Sequence, residues 1–191
     1  LDPGDGILLN DPFHGGAHLP DLTLVTPVFA DDALVGLVAN RAHHADVGGK
    51  SAGSVAADST EIFQEGLRIP PVRYVRGGDT DDDLRAMLLT NVRTPDERRG
   101  DLRAQRAANE TGRERLRALV DRYDATTVTD AMDAVADYAE ARMRSEIADL
   151  PDGEYAFEDR LDGDGRGGGP VPIAATVSVD GETLHVDFAG T

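Results

Sequence analysis

The sequence predicts an α+β fold, β-rich at both ends with antiparallel helices between, and three observations carry that prediction. Apolar residues form strand-length runs at 22–29 and 33–39, and alternate with polar ones over 173–179, the period of a half-buried strand. Between residues 94 and 148 apolar positions recur at helical spacing instead. Proline and glycine punctuate the changes of character, at Pro3-Gly4, Gly77-Gly78 and Pro151-Asp152-Gly153. The expected division is a β-rich segment over 1–78, a helical segment over 79–150 and a β segment over 151–191, all parts of one larger domain.

The first strand is Ile7–Leu9, closed by Asn10-Asp11-Pro12 because a residue before proline is pushed towards an extended conformation. A loop with paired glycines, Gly15 and Gly16, leads to His18-Leu19-Pro20-Asp21. Three-residue spacing would put His18 and Asp21 on one helical face, but Pro20 does not suit a helix interior, so an extended segment or turn is expected. Runs 22–29 and 33–39 flank Asp31-Asp32 and read as a β-hairpin. Residues 50–57 are small and polar, a loop; 67–71 runs extended into a strand at 72–75.

A first helix is expected over 79–92, capped by Asp79 or Thr80, with Asp81–Asp83 favouring the positive end of the helix dipole. Thr94-Pro95-Asp96-Glu97 reads as a capping box with proline at the first helical position, opening a long helix to about Tyr123. Its seam is Leu102, Gln105, Asn109, Gly112, Leu116, Leu119 and Tyr123. A third helix, 127–148, carries Val128, Met132, Val135, Ala139, Met143 and Ile147 on one stripe, and the two long helices are expected to pair antiparallel. After the stop at Pro151 come a strand at 155–157, a glycine-rich loop at 162–169, and strands at 173–179 and 183–188 joined by an Asp180-Gly181 turn.

Composition narrows the function classes. The 191 residues suffice for a sizeable core. Opening at Leu1 without methionine, the sequence reads as an excerpt of a longer protein. With no cysteine, disulfides and thiolate metal sites are excluded. The net charge is −17, and Lys50 is the sole lysine. Large negative charge is a lever by which proteins stay soluble in concentrated salt, so a salt-adapted cytoplasm is one reading and an ordinary acidic protein the other. Nucleic-acid binding is disfavoured because it needs a positive footprint. No run approaches the roughly 20 apolar residues of a membrane span. Neither a GxGxxG nor a P-loop pattern occurs, so nothing here is built to hold ATP.

The chemistry concentrates in residues 10–49, which hold His14, His18, His43 and His44, four of the five histidines. With the hairpin turn centred near Asp32, Asp21 falls opposite His43 and His18 lies just beyond. A shift of register by one residue would bring His44 round instead. Two imidazoles and a carboxylate can bind a divalent metal, manganese, zinc or iron, while leaving positions open for water or substrate. The other reading is polar residues bonding in turns; the concentration of histidines in one hairpin favours the metal. Asp11 and Asp46 either orient an imidazole or cap turns. Glu65 is a candidate general base if it reaches the same cleft, and otherwise a solvated loop carboxylate. Asp46 joins it as a candidate catalytic carboxylate. His14 and His44 read as flanking residues, and His185 as a cross-strand partner. Gln105 and Asn109 interrupt an apolar seam and read as structural. Asp162-x-Asp164-Gly165 has Ile173 where a calcium loop needs glutamate, which empties that signal.

The segments NDPFHGGAHLPDLTLVTPVF, ANRAHHADVGG, QEGLRIPPV, GDLRAQRAANETGRERL, LPDGEYAFEDRLDGDG and VDFAGT occur in an order that resembles the hydantoinase B/oxoprolinase family across essentially the whole chain. The resemblance implies that the family's N-terminal segment and C-terminal portion lie outside this sequence. It implies a hetero-oligomeric cytoplasmic enzyme in which a hydantoinase A-type subunit uses ATP-Mg to phosphorylate a substrate oxygen. The B-type chain completes the site, and cyclic amides such as 5-oxoproline or hydantoins are opened hydrolytically. Related acetone and acetophenone carboxylases use similar subunits on ketones. In that branch a manganese sits on a His-x-x-Asp and a later histidine, which match His18, Asp21 and His43. One departure is Lys50-Ser51-Ala52-Gly53-Ser54, where the family pattern has proline before the glycine. The leading expectation is thus a subunit of an ATP-dependent cyclic-amide hydrolase. The alternatives are a carboxylase-type subunit and a docking subunit with a structural metal.

Overall fold

A computed structural model describes residues 1–191. They form two compact units, Leu1–Thr129 and Asp130–Thr191. The architecture is mixed α and β with antiparallel sheets, as the sequence predicts.

In the first unit, strands β1 (Gly6–Leu9), β2 (Asp21–Ala30), β3 (Ala33–His43), β4 (Val72–Arg76) and β5 (Asp79–Thr80) make one sheet in the order β3-β2-β1-β4-β5. Every pairing is antiparallel. The sequence shows β2 as an apolar run, and in the sheet its first half alternates. Leu22 and Leu24 are buried while Asp21, Thr23 and Val25 are only partly so, which gives the sheet a covered and an open face. Leu8, Leu22, Leu24, Tyr74, Leu88 and Leu102 meet in one core, where each fully buried large side chain contributes roughly 1.5–3 kcal/mol.

Helix α1 (Asp82–Thr90) starts later than expected. Gly77 and Gly78, both at positive φ, turn the chain so that Asp79 and Thr80 pair back onto Arg76 and Val75. The cap is therefore Asp81, whose carboxylate accepts the N–H of Leu84. Helix α2 (Pro95–Tyr123) has proline in its first turn, but the expected capping box is not formed. The Thr94 side chain makes no capping bond, and its hydroxyl is buried without a partner.

The α2 seam corrects a second expectation. Leu102, Gln105, Asn109 and Gly112 face strands β2 and β3 rather than another helix. Gly112 shows why this approach is possible: a Cβ there would lie 2.7 Å from a Val38 methyl. Helical periodicity identifies the face to be covered but not what covers it. Asp124, at φ 68°, ends α2, and its carboxylate accepts the N–H and the hydroxyl of Thr127. Helix α3 (Ala125–Ala148) accordingly begins two residues earlier than expected.

The second unit contains most of α3 and the sheet β6 (Gly153–Leu161), β7 (Val171–Asp180) and β8 (Thr183–Asp187), ordered β6-β7-β8. The first of these strands is much longer than its apolar core 155–157 suggested. On α3 the stripe residues Met132, Val135 and Met143 are exposed, as is the whole of β6. The turn between β7 and β8 is Gly181-Glu182, one residue later than expected, because Asp180 pairs with Thr183.

A candidate metal centre at the mouth of a hairpin

The site is set by the register of β2 and β3. At the tip, Asp31 and Asp32 make a two-residue turn closed by Ala30 opposite Ala33. Continued without a break, that pairing would place Asp21 opposite Ala42. Instead the register shifts between Val28 and Phe29: Phe29 faces Leu34, and Val28 faces Gly36. Val35 is the extra residue of a β-bulge. From there to the mouth each pair is offset by one, and Asp21 stands opposite His43.

His18 is delivered by the loop before β2. Leu19 and Pro20, both fully buried, anchor it. The His18 carbonyl accepts the N–H of Asp21, and the Pro20 carbonyl accepts that of His44 at 2.7 Å. Asn10 fixes the same loop from beneath. Its Nδ2 donates to the carbonyls of Leu19 and Leu67, and its Oδ1 accepts the N–H of Ile69. The sequence marked Asn10 only as a strand terminator.

Asp21 directs one carboxylate oxygen at each imidazole. Oδ1 lies 2.9 Å from His43 Nδ1, and Oδ2 lies 3.7 Å from His18 Nδ1. The two rings stack with centroids 5.5 Å apart. One donor atom from each of the three residues fits within a mutual separation of 4.8 Å, so the group can hold a metal ion. Both histidines are open to solvent and Asp21 is half-buried, as a site with positions left for substrate requires.

The remaining candidates fall elsewhere. His14 Nδ1 is 2.9 Å from Asp11 Oδ2, and Arg68 Nε approaches the same oxygen at 3.3 Å. Burial alone would raise the Asp11 pKa, but bonds from His14 and the Phe13 N–H, with Arg68 nearby, hold it below the ordinary value. His44 points to the covered face, where its Nε2 is 2.9 Å from Gln105 Oε1 and burial lowers its pKa. Gln105 and Asn109 bolt α2 to the hairpin. The Gln105 amide donates to Leu22 O and Asn40 Oδ1, and the Asn109 amide donates to Leu24 O and Thr26 Oγ1.

Asp46, three residues beyond His43, is buried and accepts the N–H groups of Gly48, Gly53 and Arg93 as well as Arg93 Nη1. Burial pushes its pKa up, and those bonds outweigh it and bring the pKa below the usual carboxylate value. Neither Asp11 nor Asp46 bonds the His18 or His43 imidazole. Glu65 ends a short 3-10 turn (Ile62–Gln64), half-buried, its carboxylate free of ion pairs. His185 lies on exposed β8 opposite Ser178.

Residues 1–191 match the hydantoinase B/oxoprolinase family from end to end. The chain belongs to that family. A relative from Pseudomonas sp. (strain NS671), named as the B-type component of a D-/L-hydantoinase, is 37% identical over all of this chain and 33% of its own length. The 5-oxoprolinase PfmaA of Pestalotiopsis fici is 33% identical over all of this chain and 16% of its own. The crystal structure of ATP-dependent caprolactamase from Pseudomonas jessenii superposes with a TM-score of 0.91 at 36% identity, over 97% of this chain and 32% of that one. The chain thus spans about a third of the length of its hydantoinase and caprolactamase relatives. Family members carry the names of cyclic-amide hydrolases. No helix here is long and apolar enough to cross a membrane.

Proposed function

We propose that this chain is the metal-bearing part of a B-type subunit of an ATP-dependent cyclic-amide hydrolase, working with an A-type subunit that binds ATP-Mg. The observation that supports it is the convergence of His18, Asp21 and His43 on the open face of the sheet. Two imidazoles and a carboxylate suit a divalent ion such as manganese or zinc. Such an ion, when bound, supplies Lewis acidity towards a carbonyl oxygen and a water of lowered pKa. This chain's own residues supply the frame. Asp21 orients the His43 imidazole through its 2.9 Å bond, and Asn10, Leu19 and Pro20 hold the His18 loop. Asp46 acts through position, pinning the loop after His43 to Arg93. Glu65 lies outside the three-residue cluster and serves as general base only if it reaches the same cleft in the assembled enzyme.

The test uses the full-length chain co-purified with its A-type partner, assayed for ATP-dependent opening of 5-oxoproline, hydantoins and caprolactam. His18→Ala is expected to abolish manganese binding, read by calorimetry, and turnover, by more than the roughly 10–100-fold losses typical of residues that only orient a ligand. The complex should remain assembled. Unchanged turnover in His18→Ala would sink the reading, as would ketone carboxylation by a complex that opens no cyclic amide. Loss of assembly with turnover intact would make the metal structural.

A further inference from the structure

Arg41 lies on the same open face as the three donors. In the register Thr23 is opposite Arg41, and Asp21 is opposite His43 two residues along. Side chains two residues apart on a strand project to one side with about 6.6 Å between them. Arg41 is therefore a near neighbour of the cluster.

Its guanidinium is fixed but not neutralised. Nε donates to Thr23 Oγ1 at 2.9 Å, and Nη2 donates to the Gly15 carbonyl at 3.2 Å. Both acceptors are uncharged, and Arg41 makes no ion pair. The arginines that brace the surrounding loops are paired, Arg68 with Asp11 and Arg93 with Asp46. Arg41 keeps its charge, its side chain is exposed, and its orientation is set before any ligand arrives. A planar fork held in this way matches the two oxygens of a carboxylate or phosphate. Preorganisation also lowers the entropy cost of binding.

We propose that Arg41 is an oxyanion-binding residue of this site, which takes the carboxylate or phosphate group of a small ligand whose carbonyl lies against His18, Asp21 and His43. The inference rests on the cyclic-amide reading for the ligand's other end. Within that reading it names the side chain that holds the ligand's anionic group, about one small ring away from the metal-facing atom.

The experiment is calorimetric titration of the full-length complex, manganese-loaded, with three probes. 5-Oxoproline carries the carboxylate, 2-pyrrolidinone is the same ring without it, and inorganic phosphate is the free oxyanion. Arg41→Gln should weaken 5-oxoproline or phosphate binding at least tenfold and leave 2-pyrrolidinone and manganese within about twofold. Arg41→Lys, which keeps the charge without the fork, should lie between. Which of the two anionic probes responds identifies the source of the oxyanion. Equal affinities of both anionic probes in wild type and Arg41→Gln would overturn the proposal. So would a parallel loss of all probes and manganese, which would mean that Arg41 only supports the Gly15 loop. Arg41-dependent phosphate binding with no lactam bound would sustain the oxyanion site and defeat the cyclic-amide reading. No probe bound by wild type would defeat both.

Discussion

Two hairpins in this molecule use the same device at their tips and differ in nearly everything else. The β2–β3 turn has Asp31 at φ 51°, and the β7–β8 turn has Gly181 at φ 58°, each as the first residue of a two-residue loop. The first hairpin has strands of ten and eleven residues, a bulge, and one face sealed by α2. The second pairs ten residues with five, and β8 is exposed along its whole length. Local turn chemistry makes a hairpin in both cases. What sets one of them apart as a candidate site is the control of its register and the clamping of one face, which leave His18, Asp21 and His43 together on the other.

The largest effect should come from moving a histidine by one residue. The double substitution Ala42→His/His43→Ala keeps the number of imidazoles but puts the new one opposite Leu22, on the covered face. Manganese affinity, measured by calorimetry on the full-length complex, should fall on the order of 100-fold or more, as for His43→Ala alone. Deletion of Val35 is the converse. It removes the bulge residue while leaving Val28 opposite Gly36 and Asp21 opposite His43, so manganese binding should survive it. Binding retained by the swapped protein, or lost on the deletion, would show that the register does not control the site.

The next effect tests the clamp. Gln105→Leu removes the donor to Leu22 O and Asn40 Oδ1 and the acceptor facing His44 Nε2, the first and last buried and the second partly so. Leaving buried polar groups unpaired costs about 1–3 kcal/mol each, so denaturant unfolding should show a loss of about 3 kcal/mol. Met132→Gln, on the exposed stripe of α3, should change stability by less than about 0.5 kcal/mol. Equal effects from the two would erase the contrast between a sealed and an open element.

These two experiments also show how much the sequence could reveal. The pairing of Asp21 with His43 was legible because strand pairing is arithmetic about a turn, and placing the centre at Asp32 gave the observed mouth. The reason was not legible: the tip turns about Asp31-Asp32, and a bulge at Val35, which no residue type announces, restores the offset. Gln105 and Asn109 were readable as structural interruptions of a seam. Their partners were not, since periodicity is the same whether a helix faces a sheet or another helix. The bonds made by Asn10, Arg41 and Arg93 were not legible, because their partners are distant in sequence, such as Leu67 O for Asn10 and Asp46 for Arg93.

A smaller effect separates two loops by pH. Asp46, after β3, is buried, and its folded pKa lies below the ordinary value. Asp164, before β7, is exposed and also lowered, by the N–H groups of Arg166 and Gly168. A carboxyl whose folded pKa is below its unfolded one contributes stability above the unfolded value, about 3.8 here, and loses it as pH falls through the folded value. Asp46→Asn should therefore cost about 2 kcal/mol at pH 7, with the difference from wild type shrinking as pH drops below 4. Asp164 is exposed, where solvent screens the same bonds, so Asp164→Asn should shift the pH 7 unfolding curve far less than Asp46→Asn does. A cost for Asp46→Asn that persists unchanged at pH 3 would mean that packing, not the ionised carboxylate, holds the loop.

The smallest effect belongs to the tip of the second hairpin. Nothing lies within 4 Å of a Cβ built on Gly181, so Gly181→Ala introduces no collision and tests backbone conformation alone. A left-handed residue with a Cβ costs roughly 1–2 kcal/mol, and aspartate and asparagine escape part of it through local hydrogen bonds. Asp31 already occupies such a position in the first hairpin, where twenty-one strand residues and a helix hold the turn closed. Gly181 closes onto a five-residue edge strand with few buried contacts. Gly181→Ala should thus lower amide-exchange protection of β8 by about 1 kcal/mol, at His185 and Asp187, while protection across β2 and β3 stays unchanged. Unaltered exchange in β8 would mean that the short strand is held by its pairing rather than its turn. Altered exchange at Ala42 would couple the hairpins and undo the contrast between them.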